Sequence, residues 1–180
     1  MPQELPPASF TAKGQGILRV LKTEIFVMPA LDAEVGSQPP PPGATNKCIA
    51  LWDTGATMSV ISAKVAKDCG LAPSGMINTA GVHGIKLVNT YLVSFYLPNR
   101  IVLPSLAVSE GDFGGDIGAL IGMDIISQGD FAVTNRKGLT WFSFRMPSLQ
   151  RFDFVKTRVK SDSACTCGSG KLYRNCPDCK

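Results

Sequence analysis

The chain has 180 residues, 44% of them apolar and 18% charged, with a formal charge of +4. That is enough for one ordinary domain with a core and a small appendage, and no apolar run approaches the ~18 residues that a membrane-spanning helix needs. Thirteen prolines and eighteen glycines imply many turns and favour β structure over a helical bundle.

In chain order, residues 1–16 carry Pro and Gly and are expected to form a flexible N-terminus. MPQELPPASF has neither the basic start nor the apolar stretch of a secretory signal, so a soluble, cytoplasmic protein is expected. Ile17 to Met28 (ILRVLKTEIFVM) is rich in β-branched and apolar residues and predicts one long strand or two abutting ones, ended by Pro29. QPPPPG, Gln38 to Gly43, predicts an extended surface loop. Lys47 to Trp52 predicts the next strand, which delivers Asp53. Ser62 can cap a short helix, AKVAKDC, with Ile61, Val65 and Cys69 on its buried side and Gly70 as its stop. The glycine-punctuated GMINTAGVHG follows. Tyr91, Val93, Phe95 and Leu97 then alternate onto one face of a strand, and Ile101 to Val108 predicts another. After the glycine-rich loop EGDFGGDIG, ALIGMDIISQGD predicts a buried strand running through Gly122 into a second short helix. Phe131–Thr134 and Leu139–Met146 close the domain as a hairpin around NRKG, with Thr140, Phe142, Phe144 and Met146 sharing a face.

The charge and the cysteines are both lopsided. Residues 151–180 hold seven Lys/Arg against three Asp, which accounts for the whole net charge, so attraction to acidic partners or nucleic acid belongs to that segment. Cys165, Cys167, Cys176 and Cys179 crowd into the same region, while Cys48 and Cys69 stand apart. In a chain without a secretory signal such clustering favours a metal site over a disulfide framework. The domain plan is therefore 1–16 as the N-terminus, 17–150 as the main domain, 151–164 as a basic linker and 165–180 as the cysteine motif.

Within IALWDTGATMSV, Asp53 stands at the end of an apolar strand, against a small, turn-prone Thr-Gly-Ala. It suits a strand-end turn aspartate. It also suits half of a carboxylate pair. Two carboxylates that share a proton can both deprotonate a water and protonate a leaving amine, because close like charges push their pKa values apart. Thr54 supplies a hydroxyl for bracing, and Gly55 lets main chain approach closely. The second piece, ALIGMD, about 65 residues on, favours the catalytic reading.

Together, Leu51-Trp52-Asp53-Thr54-Gly55-Ala56 and Leu120-Ile121-Gly122-Met123-Asp124, with a flap around Thr79 to Gly84, resemble the retropepsin-like aspartic proteases over residues 17–147. The resemblance implies a mainly β fold, a closed acid-protease barrel of six or seven strands with two short helices. It also implies an aspartic endopeptidase that needs no cofactor for catalysis, with Asp53, Thr54 and Gly55 catalytic and Ala56, Gly81, Val82 and His83 at the polypeptide substrate. Trp52 is larger than the residue the family usually places before the Asp. Asp116-Ile117-Gly118-Ala119 imitates the first motif, but it follows FGG and has no hydroxyl neighbour. Asp116 is expected in a loop, and the partner carboxylate in Asp53 of a second copy, which makes the protein a homodimer. Asp124 is expected to be structural, near a helix N-terminus. The alternative is an inactive barrel of the same type used for dimerisation or peptide binding.

ACTCGSGKLYRNCPDCK spaces its thiols C-x-C-x8-C-x2-C, which can surround Zn²⁺ tetrahedrally through Cys165, Cys167, Cys176 and Cys179. It resembles the SEC-C motif of the bacterial preprotein translocase ATPase and of many unrelated bacterial proteins, though Pro177-Asp178 separates two ligands that are usually adjacent there. The resemblance implies a structural zinc and a small adaptor for a protein, ribosome or RNA partner.

Overall fold

The computed structural model describes residues 7–32, 46–81, 84–155, 162–165 and 169–177. The chain divides into two compact units, residues 1–149 and 150–180. The first unit is built on strands β1 (Ala8–Lys13), β2 (Lys22–Pro29), β3 (Asn46–Trp52), β4 (Val60–Ser62), β5 (Gly75–Gly81), β6 (Gly84–Tyr96), β7 (Val102–Gly111), β8 (Ile117–Ile121), β9 (Asp130–Thr134) and β10 (Trp141–Met146). It also has two short helices, α1 (Ala63–Asp68) and α2 (Met123–Ile126). Strands are hydrogen-bonded in the order β2-β3-β8-β4-β7-β6, and β6 pairs back onto β2 from Phe26↔Tyr96 to Pro29↔Val93. Six strands thus close a barrel. Closure removes the open edges that a sheet of this length would otherwise leave.

The barrel is filled from every strand. Ile25, Val27, Ala50, Ile61, Val93, Phe95, Val108, Ala119 and Ile121 have no exposed surface. Tyr91, Val93, Phe95 and Leu97 are all buried, as their alternation predicts, and so are Thr140, Phe142, Phe144 and Met146. Helix α1 begins where predicted: the Ser62 hydroxyl accepts from Val65 N at 3.2 Å, and Gly70 beyond its end has a positive φ of 63°.

A three-stranded sheet, β1-β10-β9, packs against this barrel. The join is aromatic. The Trp52 ring stacks on Phe131 at 5.6 Å and 10°, tilts onto Phe144 at 5.0 Å, and meets Phe10 and Phe142. Its indole N–H donates to the Thr23 hydroxyl at 2.9 Å, so the one polar atom of a ring that is 4% exposed is satisfied. The unusual size of Trp52 is explained by this contact: it reaches from the barrel wall into the second sheet.

Three expectations need correction. Residues 1–16 are not all loose, because Ala8–Lys13 forms β1 and pairs with β10 from Ala8↔Met146 to Lys13↔Trp141. Ile17 to Leu21 is not strand. Here the chain wraps Thr140, with Gly14 N and Leu18 N donating to the Thr140 carbonyl and hydroxyl, and Thr140 N donating to the Gly16 carbonyl. The strand expected at Tyr91 starts seven residues earlier, at Gly84, and β7 continues past Val108 to Gly111. The added part of β6 stands in a hairpin arm, where no alternating burial marks it. The proline run lies outside the described residues.

In the second unit, Ala164 bridges Leu172, a 3-10 turn spans Tyr173–Asn175, and Arg174 pairs with Asp162 at 2.7 Å. Cys165 and Cys176 are buried together, with Tyr173 against them. Cys167 and Cys179 lie outside the described residues. No group of three or more metal-ligating side chains occurs among those that are described. Among the described residues no helix is long and apolar enough to cross a membrane.

Candidate active site

Asp53 is set by strand order. β8 is inserted between β3 and β4, parallel to the first and antiparallel to the second. The chain leaving β3 must therefore step over the C-terminal end of β8 to reach β4, and Asp53 starts that step. Its N–H donates to the Ile121 carbonyl at 3.0 Å, which extends the β3–β8 ladder to the carboxylate itself. Gly55 N donates to Asp53 Oδ1 at 2.8 Å, and Ala56 N to the Asp53 carbonyl at 3.3 Å. A Cβ on Gly55 would lie 3.2 Å from Oδ1, tighter than most contacts, so a side chain there would press on the carboxylate. The Asp53 side chain is half-buried. Thr54 is exposed, and its hydroxyl makes no hydrogen bond among the described residues.

The step is clamped from behind. The Ala56 and Thr57 carbonyls accept from Met123 N at 2.8 Å and Asp124 N at 3.2 Å. The Asp124 carboxylate accepts from Ser59 N at 2.9 Å and from the Ser59 hydroxyl at 2.8 Å, while that hydroxyl oxygen accepts from Gly122 N at 3.1 Å. Gly122 has no room for a side chain, since a Cβ would sit 2.7 Å from the Met58 carbonyl. Asp124 is thus structural, as expected, and lies in the first turn of α2. Its bond to Ser59 was not anticipated. The only trace of it in the sequence is a serine six residues after Asp53, which has meaning only once β8 is known to pass beneath.

Asp116 is elsewhere. It precedes β8, five residues before Ile121, or about 16 Å along the strand. It pairs with Lys22 at 3.2 Å, and this bond holds its carboxyl below the usual range. It is a turn residue and no partner for Asp53.

β5 and the first half of β6 form the hairpin arm, paired from Gly75↔Thr90 to Gly81↔Gly84. Gly81 ends β5, while Val82 and His83 lie outside the described residues. Directly opposed residues share a face in an antiparallel pair. The register therefore puts Met76, Asn78, Ala80, Ile85, Leu87 and Asn89 on one face and Ile77, Thr79, Lys86 and Val88 on the other. The first face is open and mixed, with Met76 58%, Ile85 75% and Leu87 59% exposed beside Asn78. The second face borders a groove of about 770 Å³ that includes Ser62, Lys64, Glu110 and Phe113 but not Asp53.

Residues 44–125 match the family model described as aspartyl protease. The match spans both Asp53 and Asp124. Solved structures similar to this chain include a retropepsin-like aspartic protease from Rickettsia conorii, with 15% identity and a TM-score of 0.43, covering 80% of this chain and 98% of that one. EIAV protease in complex with an inhibitor has 15% identity and a TM-score of 0.43, covering 61% and 86%. Simian foamy virus (mac) protease has 17% identity and a TM-score of 0.36, covering 58% and 92%. No curated protein matches the sequence.

The body cysteines make poor nucleophiles. Burial pushes the Cys48 thiol up to about 12, with Cys69 adding to the effect, and burial also raises Cys69. The thiolate is the reactive form, and neither thiol is ionised near neutrality.

Two outcomes are expected. Asp124→Ala strands the Ser59 N–H and hydroxyl and should cost about 3 kcal/mol in urea unfolding, whereas Asp124→Asn, which keeps an acceptor for Ser59 N, should cost about 1. A loss below half a kcal/mol for the alanine variant would contradict the clamp. Cys48 stays protonated in the folded chain while the unfolded thiol ionises near 9, so its contribution is complete below pH 9 and is lost as pH rises toward 12. Cys48→Ala should flatten that part of the stability profile.

Proposed function

We propose that the chain is an aspartic endopeptidase whose active unit is a homodimer, with Asp53 of each copy forming the catalytic pair. The observation that carries this is the placement of Asp53. Its carboxylate is fixed at the open end of the β3–β8 ladder, while Asp116 is engaged before the far end of β8 and Asp124 is engaged beneath the loop. On this reading the complement comes from another chain. A twofold axis through the Asp53 loop brings the same residue, since an isologous contact sets like against like. Match to the aspartyl protease model supports the same reading.

In such a pair one carboxyl is protonated and the other is not, because close like charges cannot both ionise easily. The ionised carboxylate takes a proton from a water lying between them. The hydroxide attacks the peptide carbonyl, whose oxygen is protonated by the other carboxyl, and collapse of the tetrahedral species breaks the C–N bond as the amine takes up a proton. No covalent enzyme intermediate forms. The Gly55 N–H keeps one Asp53 oxygen in the plane needed for sharing, and the exposed Thr54 hydroxyl is left to brace the partner's loop. The β5–β6 hairpin closes over an extended polypeptide, with Ala56 and the 81–83 tip beside it.

The second unit is proposed to hold one structural Zn²⁺ through Cys165, Cys167, Cys176 and Cys179. Burial of the Cys165 and Cys176 thiols in a segment with little other core fits that donor set. When bound, the ion would supply folding energy to this unit, which would then serve to recruit a protein, ribosome or RNA.

Asp53→Asn should leave the fold intact and lower peptide-library cleavage by about 10³-fold, within the range of general acid–base contributions. The wild-type rate per chain should also fall on dilution as dimers dissociate. Cleavage that persists in Asp53→Asn would favour an inactive barrel and a contaminating protease. Elemental analysis should find about one zinc per chain, lost in Cys165→Ser and Cys176→Ser; protein purified from zinc-supplemented cells without metal would remove the zinc assignment.

A further inference from the structure

The second unit exposes aromatic surface that packing would ordinarily cover. Phe152 is 59% exposed and Phe154 82%, and neither belongs to a core cluster. Residues 151–153 are in no strand or helix, and a turn follows at 154–155. The turn is held from within, since Val155 N donates to Asp153 Oδ1 at 3.0 Å. The two phenyl rings flank that aspartate and lie almost parallel, at 17°, with their centroids 6.5 Å apart. That is near the outer limit of contact between aromatic rings, about 7 Å. It is also close to twice the ~3.4 Å repeat of stacked bases. Arg151 precedes the pair, is exposed, and has no ion-pair partner among the described residues. Residues 151–180 hold seven Lys/Arg against three Asp, the whole net charge of the chain.

We propose that Phe152, Phe154 and Arg151 form a binding site for the unpaired bases of single-stranded nucleic acid. The proposal rests on the recruiting role given to the second unit and supplies its partner, though it uses no cysteine. Open ring faces and positive charge together suit a flexible polyanion that carries planar groups. Bases of an unpaired strand stack on the phenyl faces, and the Arg151 guanidinium meets the phosphates beside them. The net charge of the unit draws the strand in. Stacking reads no base edge, so the site takes unpaired strands with little regard to sequence. The bases of a duplex are already stacked on one another, so a duplex gains only the attraction of charge. An anionic lipid surface would also meet rings and cations. It favours an amphipathic helix with one continuous apolar face, whereas here the rings stand at a turn with Asp153 between them.

The test measures binding of the full-length chain to a short fluorescein-labelled oligouridine by fluorescence anisotropy, with duplex RNA and phosphatidylserine vesicles in parallel. Saturable binding is expected, with a log–log salt slope of about −1.4 to −2.8, the release expected for two to four phosphates. Phe152→Ala with Phe154→Ala should weaken it at least about tenfold, and duplex RNA should bind at least about tenfold more weakly than the single strand. Phe152→Tyr with Phe154→Tyr keeps both faces and should retain binding. These side chains are exposed, so the variants keep the fold. Undiminished binding in the alanine variant means plain charge attraction and overturns the site. Vesicle binding without oligouridine binding assigns the surface to lipid and overturns it too. Binding lost in Cys165→Ser with Cys176→Ser, but kept in the alanine variant, overturns this site and leaves the recruiting role standing. No oligouridine binding even at low salt removes nucleic acid as the partner.

Discussion

The site depends on one topological constraint, the insertion of β8 between β3 and β4. Two strands that follow each other in sequence are kept apart by a third, so the connection between them must cross that third strand's end. A backbone crossing a strand end in a tight loop leaves N–H and C=O groups that no ladder can satisfy, and each must find a partner. Here Ile121, Met123 and Asp124 satisfy the main chain of Asp53, Ala56 and Thr57, and Ser59 and Asp124 satisfy each other. The carboxylate of Asp53 is left over from this accounting, held at one oxygen and open at the other. The loop has few ways to relax, so the Asp53 carboxylate is held in place.

Trp52 transmits this constraint to the rest of the first unit. It immediately precedes Asp53, and alternation along β3 sends its ring to the face opposite the carboxylate, into the aromatic layer formed by Phe10, Phe131, Phe142 and Phe144. The β1-β10-β9 sheet is thus not an accessory. It supplies the surface against which the residue before Asp53 is fixed, and the Thr23 hydroxyl holds the indole in register. In contrast, the hairpin of β5 and the first half of β6 leaves Met76, Ile85 and Leu87 exposed among the described residues.

The sequence was legible where a local rule had no competitor. Ser62 and Gly70 bound α1 because capping and a left-handed exit are properties of a few residues. The alternation in Tyr91–Leu97 and Thr140–Met146 is legible because one face of each strand meets a full core. It failed where long-range partners decide. Ala8–Lys13 becomes a strand only because β10 lies beside it, while β-branched Ile17 and Val20 do not, because Thr140 takes the backbone groups around them. The extension of β6 back to Gly84 pairs residues with polar and apolar neighbours alike, so no burial period could announce it.

Residue order alone determined the chemistry on offer: an aspartate after an apolar strand, a glycine that permits close main-chain approach, a distant Gly-x-Asp, and four thiols in a short basic segment. These are facts of composition and spacing, and spacing survives any folding. Only the tertiary structure decided which carboxylates could meet. Asp53, Asp116 and Asp124 are equivalent as letters, yet β8 keeps the first and second near opposite ends of one strand and turns the third into a clamp. That separation is set by strand order, and strand order is a property of contacts between residues far apart in the chain.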